Sequence, residues 1–250
     1  MKVLDLFSGI GGFSLGLERA GMETIAFCEF DKHAQKILKK HWPEITIHED
    51  IKKLDARQYR GSVDIVCGGF PCQDLSCAGK QAGFDGDRSS LYRQMLRIIG
   101  ECLPRYTIFE NVSGLLTGDQ GRWFARFLYD LAEIGLDAEW HCIPASALGA
   151  NHHRDRVWII TYPKRSDAQK LGLFSTSLHK EIEKASNGFM HVFNNSLWRE
   201  DQRKICGADD GVSRRMDRHR LARLGNAVVP QIPELIGRAI IEYEKSLTNK

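Results

Sequence analysis

A cysteine stands where a strand-like run gives way to a turn. Phe70-Pro71-Cys72-Gln73 follows Val63-Asp64-Ile65-Val66-Cys67 and the pair Gly68-Gly69. Delivered from the end of a buried strand into a Gly/Pro turn, a cysteine is held open for chemistry, which makes Cys72 a candidate nucleophile. A structural cysteine is the commoner case in that context, and the polar groups that accompany Cys72 weigh against it. Glu110 closes the strand-like run Tyr106 to Glu110 and supplies a carboxyl group that could serve as an acid, a helix N-cap or a solvated end. Arg154 and Arg156 form an Arg-x-Arg pair whose donors can hold an oxygen and depress a nearby thiol pKa. Surface arginines are more often plain solvated charges. A thiol, a carboxyl group and two guanidinium groups are the parts of covalent catalysis with acid assistance.

A second constellation lies near the start. Asp5-Leu6-Phe7-Ser8-Gly9-Ile10-Gly11-Gly12-Phe13 reads as a strand, a glycine-rich turn and a helix start, and Glu29 ends the next strand about 20 residues on, where a carboxylate can accept from ribose hydroxyls. The spacing departs from the dinucleotide pattern. Gly9 and Gly11 fit its first two positions, but the third falls on Ser14. That favours an adenosyl cofactor without a pyrophosphate, such as S-adenosyl-L-methionine, over a dinucleotide. A purely structural turn is the alternative reading.

These groups need a scaffold. Strands are expected over Val3 to Phe7, Thr24 to Glu29, Ile45 to His48, Val63 to Cys67, Tyr106 to Glu110, Trp140 to Ile143 and Val157 to Tyr162. Helical spacing falls between them, at Phe13 to Ala20, His33 to Trp42, Ser90 to Leu103 and Trp123 to Ile134, and returns from Pro230 to Tyr243. Repeated β-α-β units predict a parallel sheet covered by helices on both faces. Between 164 and 212 the pattern fails and the chain is polar, so a small inserted domain or long binding loop is expected there.

Composition bounds the rest. The 250 residues are 42% hydrophobic and 27% charged, enough for a full core. No run approaches the ~18 apolar residues of a membrane span, and Asp5 interrupts any secretory apolar region, which predicts a cytoplasmic protein. Seven cysteines with no Cys-x-x-Cys pair indicate neither a disulfide framework nor a zinc site, and no metal is expected. A formal charge of +3 decides nothing, but 214–223 carries five arginines against one aspartate, a patch suited to phosphates or a solvated helix face.

Taken together, the segments DLFSGIGGF at 5–13, Glu29, Asp50, GGFPCQ at 68–73, FENV at 109–112, RDR at 154–156 and GNAVVP at 225–230 resemble the DNA (cytosine-5) methyltransferases in order and interval. The resemblance covers the whole chain except about 165–212. It implies a Rossmann-like α/β methyltransferase fold with a catalytic domain over 1–163, a short target-recognition region over 164–212, and a segment over 213–250 that returns to the catalytic domain. It further implies that Phe7 stacks on the cofactor adenine, Gly9, Gly11, Ile51 and Pro71 line the pocket, Glu29 holds the ribose, Asp50 meets the adenine amine, and Asn226 makes a cofactor-side contact. Cys72 becomes the nucleophile, Glu110 the acid at cytosine N3, and Arg154 and Arg156 the clamp near the base. Gln73, Arg214, Arg215 and Arg218 would contact nucleic acid. The implied partner is double-stranded DNA, with a cognate restriction endonuclease possible and a monomer expected.

The chemistry asks for these residue types in its own right. Carbon 5 of cytosine is a poor nucleophile until a thiolate adds at carbon 6, and the charge that develops calls for a carboxylic acid at N3. A base inside a duplex is out of reach, so the nucleotide must be flipped out. Two departures from the family pattern stand out. Asn151-His152-His153 replaces the usual Pro-Gln before the arginines, and no clear Thr-Leu dipeptide occurs in the recognition region. Two alternatives stay open, methylation of a tRNA cytosine and a catalytically weak DNA-binding regulator; the first is disfavoured by the missing Cys-Phe-Thr tripeptide, the second by intact Cys72 and Glu110.

Overall fold

The computed structural model describes residues 1–71, 90–148, 155–163, 177–184 and 227–248. Seven strands form one sheet: β1 (Lys2–Leu6), β2 (Glu23–Cys28), β3 (Thr46–His48), β4 (Ile65–Gly68), β5 (Tyr106–Val112), β6 (Leu136–Pro144) and β7 (Asp155–Pro163). Their order is β3-β2-β1-β4-β5-β7-β6. The first five run parallel, as the β-α-β pattern predicts. β7 pairs antiparallel with β5, and β6 antiparallel with β7. The last two strands thus depart from the parallel pairing that the β-α-β pattern predicts for the rest. β6 and β7 are joined without a crossover helix among the described residues, and only a crossover returns a strand in parallel.

Helices cover both faces. One side holds α3 (Ser90–Cys102), the short α4 (Gly114–Thr117) and α5 (Arg122–Glu133); there Leu4, Leu6, Val66, Phe109 and Ile159 of the strands meet Met95, Ile98 and Phe127. The other holds α1 (Gly12–Arg19), a helix α6 over 177–184 and α7 (Gln231–Thr248). Here Val3, Ile65, Cys67, Ile108, Trp158 and Ile160 meet Phe13, Leu17, Leu178, Ile236 and Ile240. Alternation along each strand sends successive side chains to opposite cores, so a run such as Val3-Leu4-Asp5-Leu6 is buried throughout. α2 (Lys32–His41) flanks β2 and is capped by Asp31, whose carboxylate accepts from His33 N and Ala34 N. α7 packs on α1 by close approach. A Cβ on Gly16 would lie 2.2 Å from Pro230 O, and one on Gly237 2.8 Å from Ala20 Cβ. No described helix is long and apolar enough to cross a membrane.

The sheet's order reverses beside β1, and ligands of open α/β sheets bind beyond the carboxyl ends of the strands at such a switch point. The ends of β1, β4 and β5 and the start of β7 all lie on that edge.

Candidate active site and cofactor pocket

The edge carries two groups of side chains. At the end of β1 the chain turns with Phe7 in the left-handed region at φ 53°, followed by Gly9 at 54° and Gly11 at 88°. Positive φ is strained for phenylalanine and free for glycine. Gly9 is open on its outer side, whereas a Cβ on Gly11 would sit 2.6 Å from the Trp42 ring. Glu29 ties the turn down. Its carboxylate accepts from Gly9 N and from Asp31 N, both at 2.7 Å. Each carboxylate oxygen has a second lone pair, so this bracing leaves acceptors for hydroxyl groups.

Next to Glu29, Phe30 is 80% exposed. Together with Lys32, His48, Glu49, Asp50, Lys53 and Leu54 it lines a cavity of about 350 Å³. An aromatic face, the neighbouring Glu29 carboxylate and a second carboxylate at Asp50 offer a stacking surface and hydrogen-bond acceptors. Ile51 lies below, buried in the core. The loop that carries Asp50 is held from beneath by Arg97 of α3, which donates to Ile51 O at 2.7 Å and Leu54 O at 3.0 Å and pairs with Glu101 at 2.6 Å. His48 meets Tyr59 through Nε2 at 2.7 Å, and burial lowers its pKa below the usual histidine range. The cavity wall there is a neutral imidazole near pH 7.

Beneath the turn lies Asp5, fully buried. Ser14 Oγ donates to its Oδ2 at 2.7 Å. Its pKa is pushed up to about 7, chiefly by burial, with the Ser14 hydrogen bonds opposing and the nearby Glu29 charge adding to the rise. Cys67 is likewise fully buried, and burial first, then Asp5, pushes its thiol well above the ordinary range. A thiol so held is inert, which removes Cys67 as a rival to Cys72.

The second group sits over β4, β5 and β7. Glu110 points to the face that carries Trp158 and Arg156, and Arg156 Nε lies 2.9 Å from Glu110 Oε1. Both are mostly buried, at 13% and 21% exposure. The antiparallel β5–β7 pairing is what brings them together, because it sets Glu110 opposite Trp158 and Arg156 opposite Val112. Glu110 Oε2 lies over Gly69, where a Cβ would approach it to 2.8 Å. Asn111 Nδ2 donates to Phe70 O at 3.3 Å, and its Oδ1 accepts from Val112 N. So the strand that carries Glu110 is tied to the turn that runs into Pro71.

Of the residues singled out in the sequence, Phe7, Gly9, Glu29, Asp50 and Ile51 gather around the first turn and its cavity, and Glu110 and Arg156 form the ion pair beside Pro71. Gly11 lies against Trp42. Val228 packs on the turn, with its carbonyl 2.5 Å from where a Cβ of Gly12 would be, so the 227–230 segment reaches the same edge. Cys72, Gln73, Arg154, Arg214, Arg215, Arg218 and Asn226 lie outside the described residues, as does His152-His153. No cluster of three or more metal-ligating side chains occurs among the described residues. Phe30, His48, Arg97 and Asp5 were missed. Only Phe30, an aromatic directly after the acid that ends β2, carried a signal that could have been read.

A family model described as C-5 cytosine-specific DNA methylase matches residues 1–221. The Type II methyltransferase M.Eco47II of Escherichia coli is 42% identical over 134 residues, 53% of this chain and 32% of that protein. M.HgiBI of Herpetosiphon aurantiacus is 31% identical over 194 residues, 78% of this chain and 43% of that one. The chain thus spans less than half the length of these relatives. The S. pombe Dnmt2 methyltransferase superposes with a TM-score of 0.54 at 20% identity, over 66% of this chain and 52% of that one, a likeness of fold. Because the model of the C-5 cytosine-specific DNA methylases matches residues 1–221, the chain belongs to that family.

Proposed function

We propose that this chain methylates carbon 5 of cytosine in double-stranded DNA in a sequence-specific manner, using S-adenosyl-L-methionine and a covalent bond from Cys72. The observation that carries the reading is the Glu110–Arg156 pair beside the turn that runs into Pro71, in a chain of this family. The cofactor fits the donor set of the first turn: Phe7 and Phe30 offer faces for the adenine, Glu29 acceptors for the ribose hydroxyls, and Asp50 an acceptor for the adenine amine. When bound, the cofactor supplies an electrophilic methyl group on sulfonium.

The chain's own residues do the rest. The Cys72 thiolate adds to carbon 6 of a flipped cytosine, forming a C–S bond as the electron pair of the C5–C6 double bond shifts toward N3. Glu110, having taken a proton from solvent, delivers it to N3 and is left as the carboxylate that Arg156 faces, and carbon 5 becomes the nucleophilic end of an enamine. The Arg156 guanidinium balances the Glu110 carboxylate, and with Arg154 it offers donors to the base oxygen. Once carbon 5 carries the methyl group, a base such as water takes the C5 proton, the C–S bond breaks to return the thiolate, and N3 gives its proton back to Glu110, which restores the aromatic base. The family's description and the Type II names of the relatives support DNA over an RNA substrate. By the same likeness, a restriction endonuclease of matching specificity belongs to the proposal.

Fluorine at carbon 5 cannot leave as a proton does, so DNA containing 5-fluorocytosine tests the scheme. The wild-type protein should form an adduct stable to denaturant when the cofactor is present, and Cys72→Ser should form none. An equal adduct yield from Cys72→Ser would overturn the assignment of the nucleophile.

A further inference from the structure

The sheet alone gives Asp50 a weak footing. The strand that delivers it, β3, is three residues long and among the described residues pairs with β2 alone. Residues 50–54 then make a single turn, in which Asp50 O accepts from Lys53 N at 3.0 Å and Leu54 N at 3.1 Å, and Asp50 Oδ1 accepts from Lys52 N at 2.9 Å. A turn this short leaves its later carbonyls in need of partners from elsewhere. Ile51 O and Leu54 O find theirs in the Arg97 guanidinium, at 2.7 Å from Nη2 and 3.0 Å from Nη1.

That guanidinium is itself held in aim. Its Nε donates to Gln94 Oε1 at 2.9 Å, and Nη1 also lies 2.6 Å from Glu101 Oε1. The other oxygen of Glu101, Oε2, accepts from Ala56 N at 2.8 Å. Arg97 and Glu101, one turn apart on α3, therefore grip the chain after β3 at residues 51, 54 and 56. Anchoring alone asks for less, because the Ile51 and Leu54 side chains already bury themselves in the core. A planar fork with all three nitrogens engaged fixes direction as well as depth, which a single ammonium nitrogen cannot do. The group so directed is the Asp50 carboxylate. Its Oδ1 is engaged by Lys52 N, which leaves Oδ2 as an acceptor in the wall of the cavity.

We propose that Arg97 is a positioning residue for base selection in the cofactor: by fixing the turn 50–54 it sets the Asp50 carboxylate where it accepts from an adenine amine and rejects a purine with a carbonyl oxygen at that place. The proposal rests on the reading of Asp50 given above. Hypoxanthine carries oxygen where adenine carries the amine, so two acceptors would face each other with no proton between them. Selection of this kind depends on placement, whereas general loosening of the pocket weakens both bases alike.

Titration calorimetry with S-adenosyl-L-homocysteine and its deaminated analogue S-inosyl-L-homocysteine tests this. The wild type should prefer the adenine compound by roughly 10- to 150-fold, the range of a hydrogen bond to a charged group. Asp50→Ala should lose most of that preference. Arg97→Lys should lower it by roughly 5-fold or more, since a side-chain hydrogen bond is gone by about 3.6 Å. In the Asp50→Ala background Arg97→Lys should leave the ratio where it stands, because the two residues act through one contact. Glu101→Gln leaves a single amide oxygen where Arg97 Nη1 and Ala56 N both need an acceptor; it should shift the ratio the same way by less, and carries the test should Arg97→Lys not fold. A wild type that binds both compounds alike would overturn the reading of Asp50 and the role of Arg97 together. If the wild type discriminates through Asp50 while the Arg97 and Glu101 variants weaken both compounds equally, the role of Arg97 alone is overturned and it is a structural anchor.

Discussion

Arg156 Nε stands 2.9 Å from Glu110 Oε1 across the β5–β7 seam, with both side chains withdrawn from solvent. Screening is weak at such a place and each charge depends on the other. The pair therefore gives the acid a fixed direction and a fixed neighbour before any base arrives.

Glu110→Gln keeps the size and can still donate through its amide, but it cannot pass a proton to N3. A general acid contributes typically ~10²- to 10⁴-fold, so the single-turnover methylation rate should fall by that order. Affinity for S-adenosyl-L-methionine, measured by titration calorimetry, should change little because its contacts lie on other loops. A variant with more than about a third of the wild-type rate would make Glu110 a positioning residue.

Gly69→Ala probes the other oxygen. The added Cβ would come within 2.8 Å of Glu110 Oε2, and the carboxylate can give way only by leaving Arg156. Displacing a catalytic group by about 1 Å can cost up to ~10²-fold, so the rate should drop between ~10- and ~100-fold. The thermal transition should move little, since the clash is with a side-chain end.

Phe30→Ala addresses a residue that the sequence reading passed over. Stacking of a base on an aromatic ring is worth about 1–3 kcal/mol by alanine substitution, which corresponds to a rise in the cofactor dissociation constant of roughly 5- to 150-fold. The turnover rate at saturating cofactor should be nearly unchanged. An unaltered dissociation constant would place the adenine elsewhere.

Asp5 makes stability depend on pH with a definite sign. Its pKa stands at about 7 when folded against 3.8 in a model compound, because burial penalises the carboxylate. A raised acid pKa means that the folded chain holds a proton the unfolded chain releases, so stability falls as pH rises from about 4 to about 7, by at most ~1.4 kcal/mol per pH unit from this group, and then levels off. Asp5→Asn should flatten urea-unfolding stability across that window and be the more stable protein above pH 7. A loss of stability at pH 8 would contradict the sign.

The arginine-rich stretch 214–223 is proposed to grip phosphate while 164–212 reads sequence. Arg214→Ala with Arg215→Ala should weaken binding to all DNA and reduce the salt slope by roughly 1 to 2, at about 0.9 per phosphate contact. The methylated sequence should stay the same. A changed site with an unchanged slope would reverse the two assignments.

Much of this was legible in the sequence. The alternation of strand and helix runs located every strand to within a few residues, because buried parallel strands are continuous apolar runs and helices mark themselves by a period of 3.6. The turn after β1, Glu29 and the approach to Cys72 were readable since chemistry demands particular residue types at strand ends. Strand direction was not. Thr107 to Val112 and Arg156 to Thr161 would look the same in either sense, and only their pairing shows that Glu110 meets Arg156.

What the sequence by itself determined is the inventory: a thiol in a Gly/Pro turn, a carboxyl group at a neighbouring strand end, a glycine turn followed by Glu29, and helices enough to cover a sheet. What only the tertiary structure decided is which of these are withdrawn from water and what they face. Phe30 reads as one more apolar residue until its ring stands in solvent beside the cavity; Arg97 reads as a helix-surface cation until it grips Ile51 O and Leu54 O; Asp5 and Cys67 read as strand residues until burial pushes both of their pKa values up. Exposure and pKa depend on neighbours distant in the chain, and local pattern carries no record of them.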